Sequence, residues 1–570
     1  MRPAAPPLPS RRWLIPAAVI AVALVARLAH LAVIRNHPFY DLHTLWEGSD
    51  MHQYVAWAGH LTGGDWLDED TFRPYFRWQQ GIASPGVWNS WYGAHVYYQP
   101  PLYTYLLAAT LALTNSLDAF RVGQIVLGAI NCALISLLGS RLHGAAAGWI
   151  AGLGAAVYAP FILYDGEILR GTVVMTTQLL LLLALARGHE GKEHRRWGRA
   201  AAWAGLAFGI AYLTDPAILL FAPMALLWVW WSAGQAGGGT TMRALRAPAL
   251  FMAGILAALV PLMARNVAVG APLFSSTTRG PLAFVMGNAP DARPAGVFIP
   301  PSTGSILGNA GYSMLGTIRG TLRLYNGHYA PLLAKQWQKA RALWGSYEVP
   351  DNPSFYYAAR VSPVVRFGLR FLPVAALGLV GLGLTLLPAS RDPRYALLPL
   401  YLLAGNALFF LAHVVSRYRQ PMVIALMILG SHAVMWAARR KGVAAAGVAA
   451  AAAVIIFVLP WRPPEGYGYT RTAEYVIAAR VCAGRGQMDR AAAEMNEVIE
   501  IARADSLLKQ HLPVLLYTLG TMQASADRHE EAIVSFRAAL AEDPDYGEAA
   551  RELTASERAV EFPSSQAVPR

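Results

Sequence analysis

The sequence predicts an all-α polytopic membrane protein of about eleven transmembrane helices with a soluble α-helical repeat domain at its C-terminal end. Three observations carry this. The 570 residues are 55% hydrophobic and only 14% charged, with a mean hydropathy of +0.34, whereas soluble domains carry roughly 25% charged residues. The apolar runs 13–34, 145–163, 367–387 and 443–459 are each long enough to span a hydrocarbon core as helix. From about residue 461 the charge pattern inverts: 461–570 holds 17 acidic against 12 basic groups, while 1–460 holds 35 basic and 17 acidic.

The first run is too long for a cleaved leader and lacks a small-residue cleavage site. It contains Arg27 and His30, which suits a retained helix whose polar side faces protein. The net charge of +13 does not point to nucleic acid, because the excess sits in short loops between apolar runs and no basic-aromatic stripe accompanies it. Cys132 and Cys482 show neither metal-ligand nor redox spacing.

Basic loops orient the chain. Arg11 and Arg12, the group from Arg187 through Lys192, Arg195 and Arg196 to Arg199, Arg243 with Arg246, Arg391 with Arg394, and Arg439 to Lys441 mark the inner side. Two inner loops are separated by an even number of crossings, so 199–243 folds as two short helices with Thr214-Asp215-Pro216 outside. The same parity puts Asp165 to Gly171 outside, the N-terminus inside and the C-terminus outside. Two large outer segments result, 35–120 and 265–366. The apolar piece 100–113 inside the first should lie along or dip into the outer leaflet. Outer segments of that size usually carry function.

Two domains follow: 1–460 in the membrane and 461–570 outside it. In the second, Leu519-Gly520, Ala532, Phe536, Ala539 and Pro544 fall at the offsets of a tetratricopeptide repeat. A weaker unit aligns 487–491 with 528–532, about 41 residues away. Such stacks present a groove to protein partners or merely brace the membrane domain.

The first outer segment reads Trp46-Glu47-Gly48-Ser49-Asp50-Met51-His52-Gln53-Tyr54, then Gly64-Asp65-Trp66-Leu67. Asp50, Tyr54, Trp57 and Ala58 fall at helical spacing. Asp50 then starts a short helix, either as a plain N-cap or as an ionised carboxylate free for chemistry. A second acidic cluster, Tyr164-Asp165-Gly166-Glu167-Ile168-Leu169-Arg170, follows the third span. There Glu167 and Arg170 could equally form an i,i+3 surface pair.

The Asp after the first span, the Gly-Asp-Trp-Leu and Gln99-Pro100-Pro101-Leu102-Tyr103 resemble the first outer loop of the GT-C glycosyltransferases, in the protein O-mannosyltransferase and aminoarabinose-transferase branch. Arg265-Asn266-Val267 with Gly270, Gly287-Asn288-Ala289-Pro290, Tyr347 to Asn352 and Ser416-Arg417-Tyr418-Arg419-Gln420-Pro421 resemble later outer segments of bacterial members. The resemblance covers roughly 10–460. It implies inverting transfer of a sugar from a polyprenyl-phosphate donor to an acceptor at the outer face of a bacterial inner membrane, with no cofactor. The partners it implies are the lipid-linked donor, membrane lipid and a protein at the repeat tail.

A lipid phosphate leaves without protonation, so one carboxylate can accept the acceptor's proton. By resemblance that carboxylate is Asp50. The family has a second acidic position where Asp165 and Glu167 stand, and Glu167 is favoured to hold the acceptor. Arg170, Arg265, Arg417 and Arg419 are the candidate phosphate partners, with lipid-headgroup contact the competing role for Arg417 and Arg419. His43, His52, His60 and His95 lack metal-ligand spacing, so no metal site is expected. Two other readings are open: a transporter or flippase of lipid-linked sugars, which calls for interrupted helices or charged residues at the bilayer midplane and an internal repeat, and a non-catalytic scaffold acting through the tail.

Overall fold

The computed structural model describes residues 11–189, 194–237, 241–386, 393–440, 442–458, 472–506 and 508–561. Every regular element among these is a helix, with one isolated bridge between Tyr158 and Leu369. Lys192, Arg391, Lys441 and the 460/461 boundary lie outside the described residues. The chain is an integral membrane protein of all-α class.

Among the described residues six helices are long and apolar enough to cross a bilayer: Leu14–Ile34, Leu117–His143, Pro216–Gly234, Leu245–Val269, Arg394–Leu411 and Ser416–Arg440. The bent pair Ala159–Gly166 and Gly171–Arg187 makes a seventh. Of the other apolar stretches counted toward eleven, Ala145–Ala156, Phe371–Thr385 and Gly442–Val458 are helices of 10–17 residues. The run 145–163 is not one helix. It breaks at Val157–Tyr158, where Ala159 N–H donates to Leu369 O and Leu369 N–H to Val157 O (both 2.8 Å). The Asp-Pro break after Thr214 is present, with Asp215 capping the turn that starts at Pro216.

Helices approach closely where side chains are absent. A Cβ on Gly205 would collide with the Phe251 carbonyl, and one on Gly254 with that of Ala202, so His194–Thr214 and Thr241–Val269 meet backbone to backbone. Small residues serve this purpose in membranes, where packing rather than apolar burial drives association.

The polar residues of the first span do face protein: Arg27 and His30 are each 1% exposed. Arg27 Nε donates to Asp165 Oδ2 at 2.8 Å, and its other nitrogens reach the Ala23 and Ala156 carbonyls and Cys132 Sγ. Thr172 and Gln124 close the same knot, through Asp165 Oδ1 and the Asp165 and Glu167 carbonyls. This knot fixes the 117° bend between Gly166 and Gly171.

Three basic helix ends converge. His143 stacks on Tyr395 and His432 (5.1 and 4.3 Å between centroids). This joins the end of Leu117–His143, the start of Arg394–Leu411 and the latter half of Ser416–Arg440. Arg417 and Arg440 begin and end that last span, roughly 35 Å apart at 1.5 Å per residue, so the Arg417 end and the Arg440 end are opposite faces of the bundle.

Contacts divide the chain into Met1–Ala32 with Gly48–Arg462, and Val33–Glu47 with Pro463–Arg570. The second unit thus includes a stretch of the first outer segment, which the sequence reading kept with the membrane domain. Its short helical turn Pro38–Asp41 buries Phe39 and packs against Ala473–Gly484. Two hairpins of one design follow, Ala473–Gly484 with Met488–Ala504 and Leu512–Ser525 with His529–Glu542, then Gly547–Glu561. Gln487 and Arg528 occupy equivalent N-cap positions (φ −92, ψ 61 and φ −92, ψ 60). Each follows a residue at positive φ, Gly486 or Asp527, and precedes a fully buried Ala491 or Ala532. Gly520 lies flat against the Phe536 ring, where no Cβ fits.

Candidate active site

Asp50 opens the helix Asp50–Thr62, but it is not the cap: Ser49 is, accepting from His52 N–H at 3.1 Å. The plain N-cap reading of Asp50 therefore fails. Its own N–H donates to Asn352 Oδ1 at 2.6 Å. Its carboxylate accepts from Asn352 Nδ2 (3.0 Å) and Arg417 Nη2 (2.8 Å) on Oδ2, and from Gln99 Nε2 (3.3 Å) on Oδ1. Three distant segments converge on this one group, because a carboxylate taken largely from water must be met by donors.

Arg417 Nη2 also lies 2.7 Å from Asp351 Oδ2. A further cation, Arg279, begins the helix Arg279–Asn288, donates to the Tyr98 hydroxyl at 2.7 Å and faces Asp50. Burial alone would push the Asp50 pKa up. The guanidiniums of Arg417 and Arg279, with the Arg417 and Asn352 hydrogen bonds, outweigh burial and hold it well below the usual carboxylate range. For Arg279, burial opposes the charge, but Tyr98 and Asp50 outweigh it and raise its pKa.

The other predicted residues divide clearly. Arg170 does not pair with Glu167. It donates to the Thr214 carbonyl at 3.0 Å and lies 3.8 Å from Asp215, while remaining within electrostatic reach of Tyr54, Arg417 and Tyr418. Beside its partner Asp215 is a cavity of about 50 Å³ lined by Tyr401, Tyr418 and Met422. Glu167 is buried, its Oε1 without a hydrogen bond and its side chain facing Arg121. Tyr103 stands between it and the Asp50 helix, donating to Gln124 and packing edge-on against Tyr54 at 4.8 Å. Asp165 is spent on Arg27 and Thr172.

Arg265 is likewise committed. Its nitrogens donate to the carbonyls of Leu67, His95 and Asp68, and it stacks over Tyr97 at 4.0 Å. It braces the Gly-Asp-Trp-Leu loop rather than offering a charge. Between that loop and the helices Pro101–Thr114 and Thr241–Val269 lies an apolar cavity of about 280 Å³, lined by Trp66, Tyr105, Leu213 and Leu262. Arg419 pairs with Glu348 at 3.3 Å, caps the Ala342 and Tyr347 carbonyls and covers the Phe371 ring. Of the four arginines singled out in the sequence, only Arg417 touches Asp50. His60 lies 3.4 Å from Asp65 and 3.8 Å from Asp68, and Asp65 is already held by the Glu69 and Asp70 N–H groups.

Sequence reasoning missed Arg279 and gave Asp351, Asn352 and Gln99 no role, although the last three lie in quoted motifs. No local pattern marks Arg279, which stands alone in Thr278-Arg279-Gly280-Pro281.

Residues 98–266, from Tyr98 beside Arg279 to the segment holding Arg265, match the family model described as dolichyl-phosphate-mannose-protein mannosyltransferase. The matched segment is under a third of the chain. Three solved structures of the Archaeoglobus fulgidus oligosaccharyltransferase are similar in part. The apo form is 14% identical, with 81% of this chain and 55% of that one covered and a TM-score of 0.39. The form tethered to an acceptor peptide containing the NVT sequon gives 14%, 77%, 54% and 0.40. The complex with an inhibitory peptide and a dolichol-phosphate gives 12%, 77%, 55% and 0.35. The chain spans about half the length of these enzymes. No curated protein matches the chain.

Proposed function

We propose that the protein transfers a sugar from a polyprenyl-phosphate carrier to an acceptor hydroxyl or amine, with inversion, at the outer face of a bacterial inner membrane. The observation that carries the reading is the convergence of Arg417, Asn352 and Gln99 on the Asp50 carboxylate, with Arg279 facing it. The acceptor heteroatom forms its bond to the anomeric carbon as the carbon–oxygen bond to phosphate breaks. The electron pair leaves with the polyprenyl phosphate, and the acceptor's proton passes to Asp50.

An aspartate clamped by two guanidiniums is a weak base. Donor binding relieves this, since the phosphate competes for Arg417 and Arg279 and so lets the Asp50 pKa rise toward a useful value. Asp351 keeps Arg417 in place meanwhile. Arg170 is the next nearest cation. Asp165, Arg265 and Arg419 hold the scaffold, and Glu167 is the remaining candidate to orient the acceptor.

The interrupted helix at Gly166–Gly171 is a feature the transporter reading called for, and the buried Arg27–Asp165 pair holds it. Their hydrogen bonds, however, all close on one another, as in a fixed brace. The deciding experiment supplies membranes with a labelled polyprenyl-phosphate sugar. Covalent transfer that fails in Asp50→Asn, with inverted configuration in the product, is expected. Movement of intact donor across the bilayer without transfer would favour the transporter.

A further inference from the structure

The helix Ala330–Trp344 is built inside out. Its two lysines are buried, Lys339 completely, while Tyr329, Leu333 and Trp337 are 46%, 68% and 67% exposed. Residues 329, 333 and 337 are four apart and share one face. Lys335 Nζ donates to the Ala289 and Pro290 carbonyls, and Lys339 Nζ to the Gly287 carbonyl (3.1 Å) and Asn288 Oδ1 (3.2 Å). The lysines thus cap the C-terminal end of the helix Arg279–Asn288, where unpaired carbonyls and the helix dipole favour cations. This explains the buried face. It leaves a Leu-Trp edge with nothing on it.

The far end of this helix identifies what the edge meets. Trp344 Nε1 donates to Asn406 Oδ1 at 2.7 Å, and the Trp344 ring is 6.5 Å from Phe371. Asn406 lies on the span Arg394–Leu411, on the same face as Leu403 and Phe410, which are 58% and 53% exposed. Apolar side chains exposed along a span are its lipid-facing stripe. Trp344 therefore anchors the helix at the lipid-facing edge of the bundle, close to the end of a span. Phe367, 81% exposed and four residues before Phe371, adds a third aromatic at the head of the neighbouring apolar helix. Exposed Arg341, Arg366 and Arg370 accompany these rings. Aromatic residues mixed with basic ones are the composition found where a protein meets lipid headgroups.

We propose that the helix Ala330–Trp344 is an interfacial helix, its Tyr329–Leu333–Trp337 edge seated in the headgroup region of the bilayer. Lipid covers this edge, not a second copy of the chain or a protein partner, because the edge continues the lipid-facing surface of the span it is anchored to.

The test places an environment-sensitive fluorophore on Trp337→Cys in full-length protein carrying Cys132→Ser and Cys482→Ser, reconstituted into phosphatidylcholine vesicles. A second variant carries it on Leu333→Cys, should the first not fold. A probe on Asp70→Cys, exposed in the first outer segment, is the aqueous reference. The expected result is a blue-shifted emission at 337 or 333, quenched by lipids bearing a nitroxide near the headgroup and protected from iodide relative to position 70. Iodide quenching equal to that at 70, with no effect of nitroxide lipid, would overturn the proposal. So would a probe shielded from both quenchers, which would mean that protein covers the edge.

Discussion

Arg417 meets Asp50 through a single nitrogen, Nη2, at 2.8 Å, and the same nitrogen stands 2.7 Å from Asp351. One cation is thus divided between two carboxylates 301 residues apart in the chain. The division sets how basic Asp50 can be, and the first three predictions turn on it.

Asp50→Asn keeps the size and the acceptor oxygen but removes the charge. Since Ser49 caps the helix, the substitution leaves capping untouched, and a stability change within about 1 kcal/mol is expected. If Asp50 takes the proton, transfer falls by about 10²- to 10⁴-fold while donor binding persists. Single-turnover assays with labelled donor measure both. Activity within a few-fold of wild type would move the search to Glu167.

Arg417→Gln removes the larger of the two guanidinium influences on Asp50 and leaves burial less opposed, so the Asp50 pKa rises. In the parent protein the acid limb of kcat/KM lies below the ordinary aspartate value of about 3.9, and activity is lost only as pH falls through the depressed pKa. In the variant that limb moves to higher pH, and KM for donor increases. An unmoved limb would show that Asp50 does not titrate in the rate profile.

Asp351→Asn leaves Arg417 to Asp50 alone. The clamp tightens, the acid limb shifts further down, and kcat drops because donor phosphate has a harder competitor to displace. The opposite movement of the limb in the Asp351 and Arg417 variants is the signature, readable from paired pH profiles.

Lys339 titrates near pH 7 in the fold, because burial and the neighbouring Lys335 disfavour its charge, against about 10.4 in an unfolded chain. Between these values the unfolded chain binds more protons, so stability rises with pH from about 7 to about 10 and is lowest below 7. Thermal unfolding in detergent across that range should show the slope. Lys339→Met should flatten it.

Sidedness needs exposed reporters, because Glu167, Arg265 and Arg419 are too buried to label. Cysteine at Asp70 should react with an impermeant reagent from outside, and cysteine at Arg440 only after permeabilisation. Reversal of the two would invert the proposed membrane orientation.

The helical class, the apolar runs, the Asp-Pro break and the helical character of the tail were legible because each depends on local periodicity and turn chemistry. The bend at Gly166 was not, since it is held by Arg27, Thr172 and Gln124 from three other segments. The site was half legible. Asp50 and Arg417 lie in short recognisable motifs, whereas Arg279 reaches Asp50 only through tertiary folding. Arg265 and Arg419 misled for a physical reason: an arginine spent on main-chain carbonyls looks, in sequence, the same as one free to bind phosphate.

The segment Val33–Glu47 folds with the C-terminal helices, and only Gly48 and Ser49 separate it from Asp50. The second unit is consequently not an appendage that can be cut at one point. It is stitched into the chain at two, and a version shortened after residue 462 would leave Phe39 and Leu42, both 1% exposed, without their cover. Any attempt to transplant this tail to another membrane protein must carry two pieces of chain, and the smaller one ends three residues before the position that Asp50 holds here.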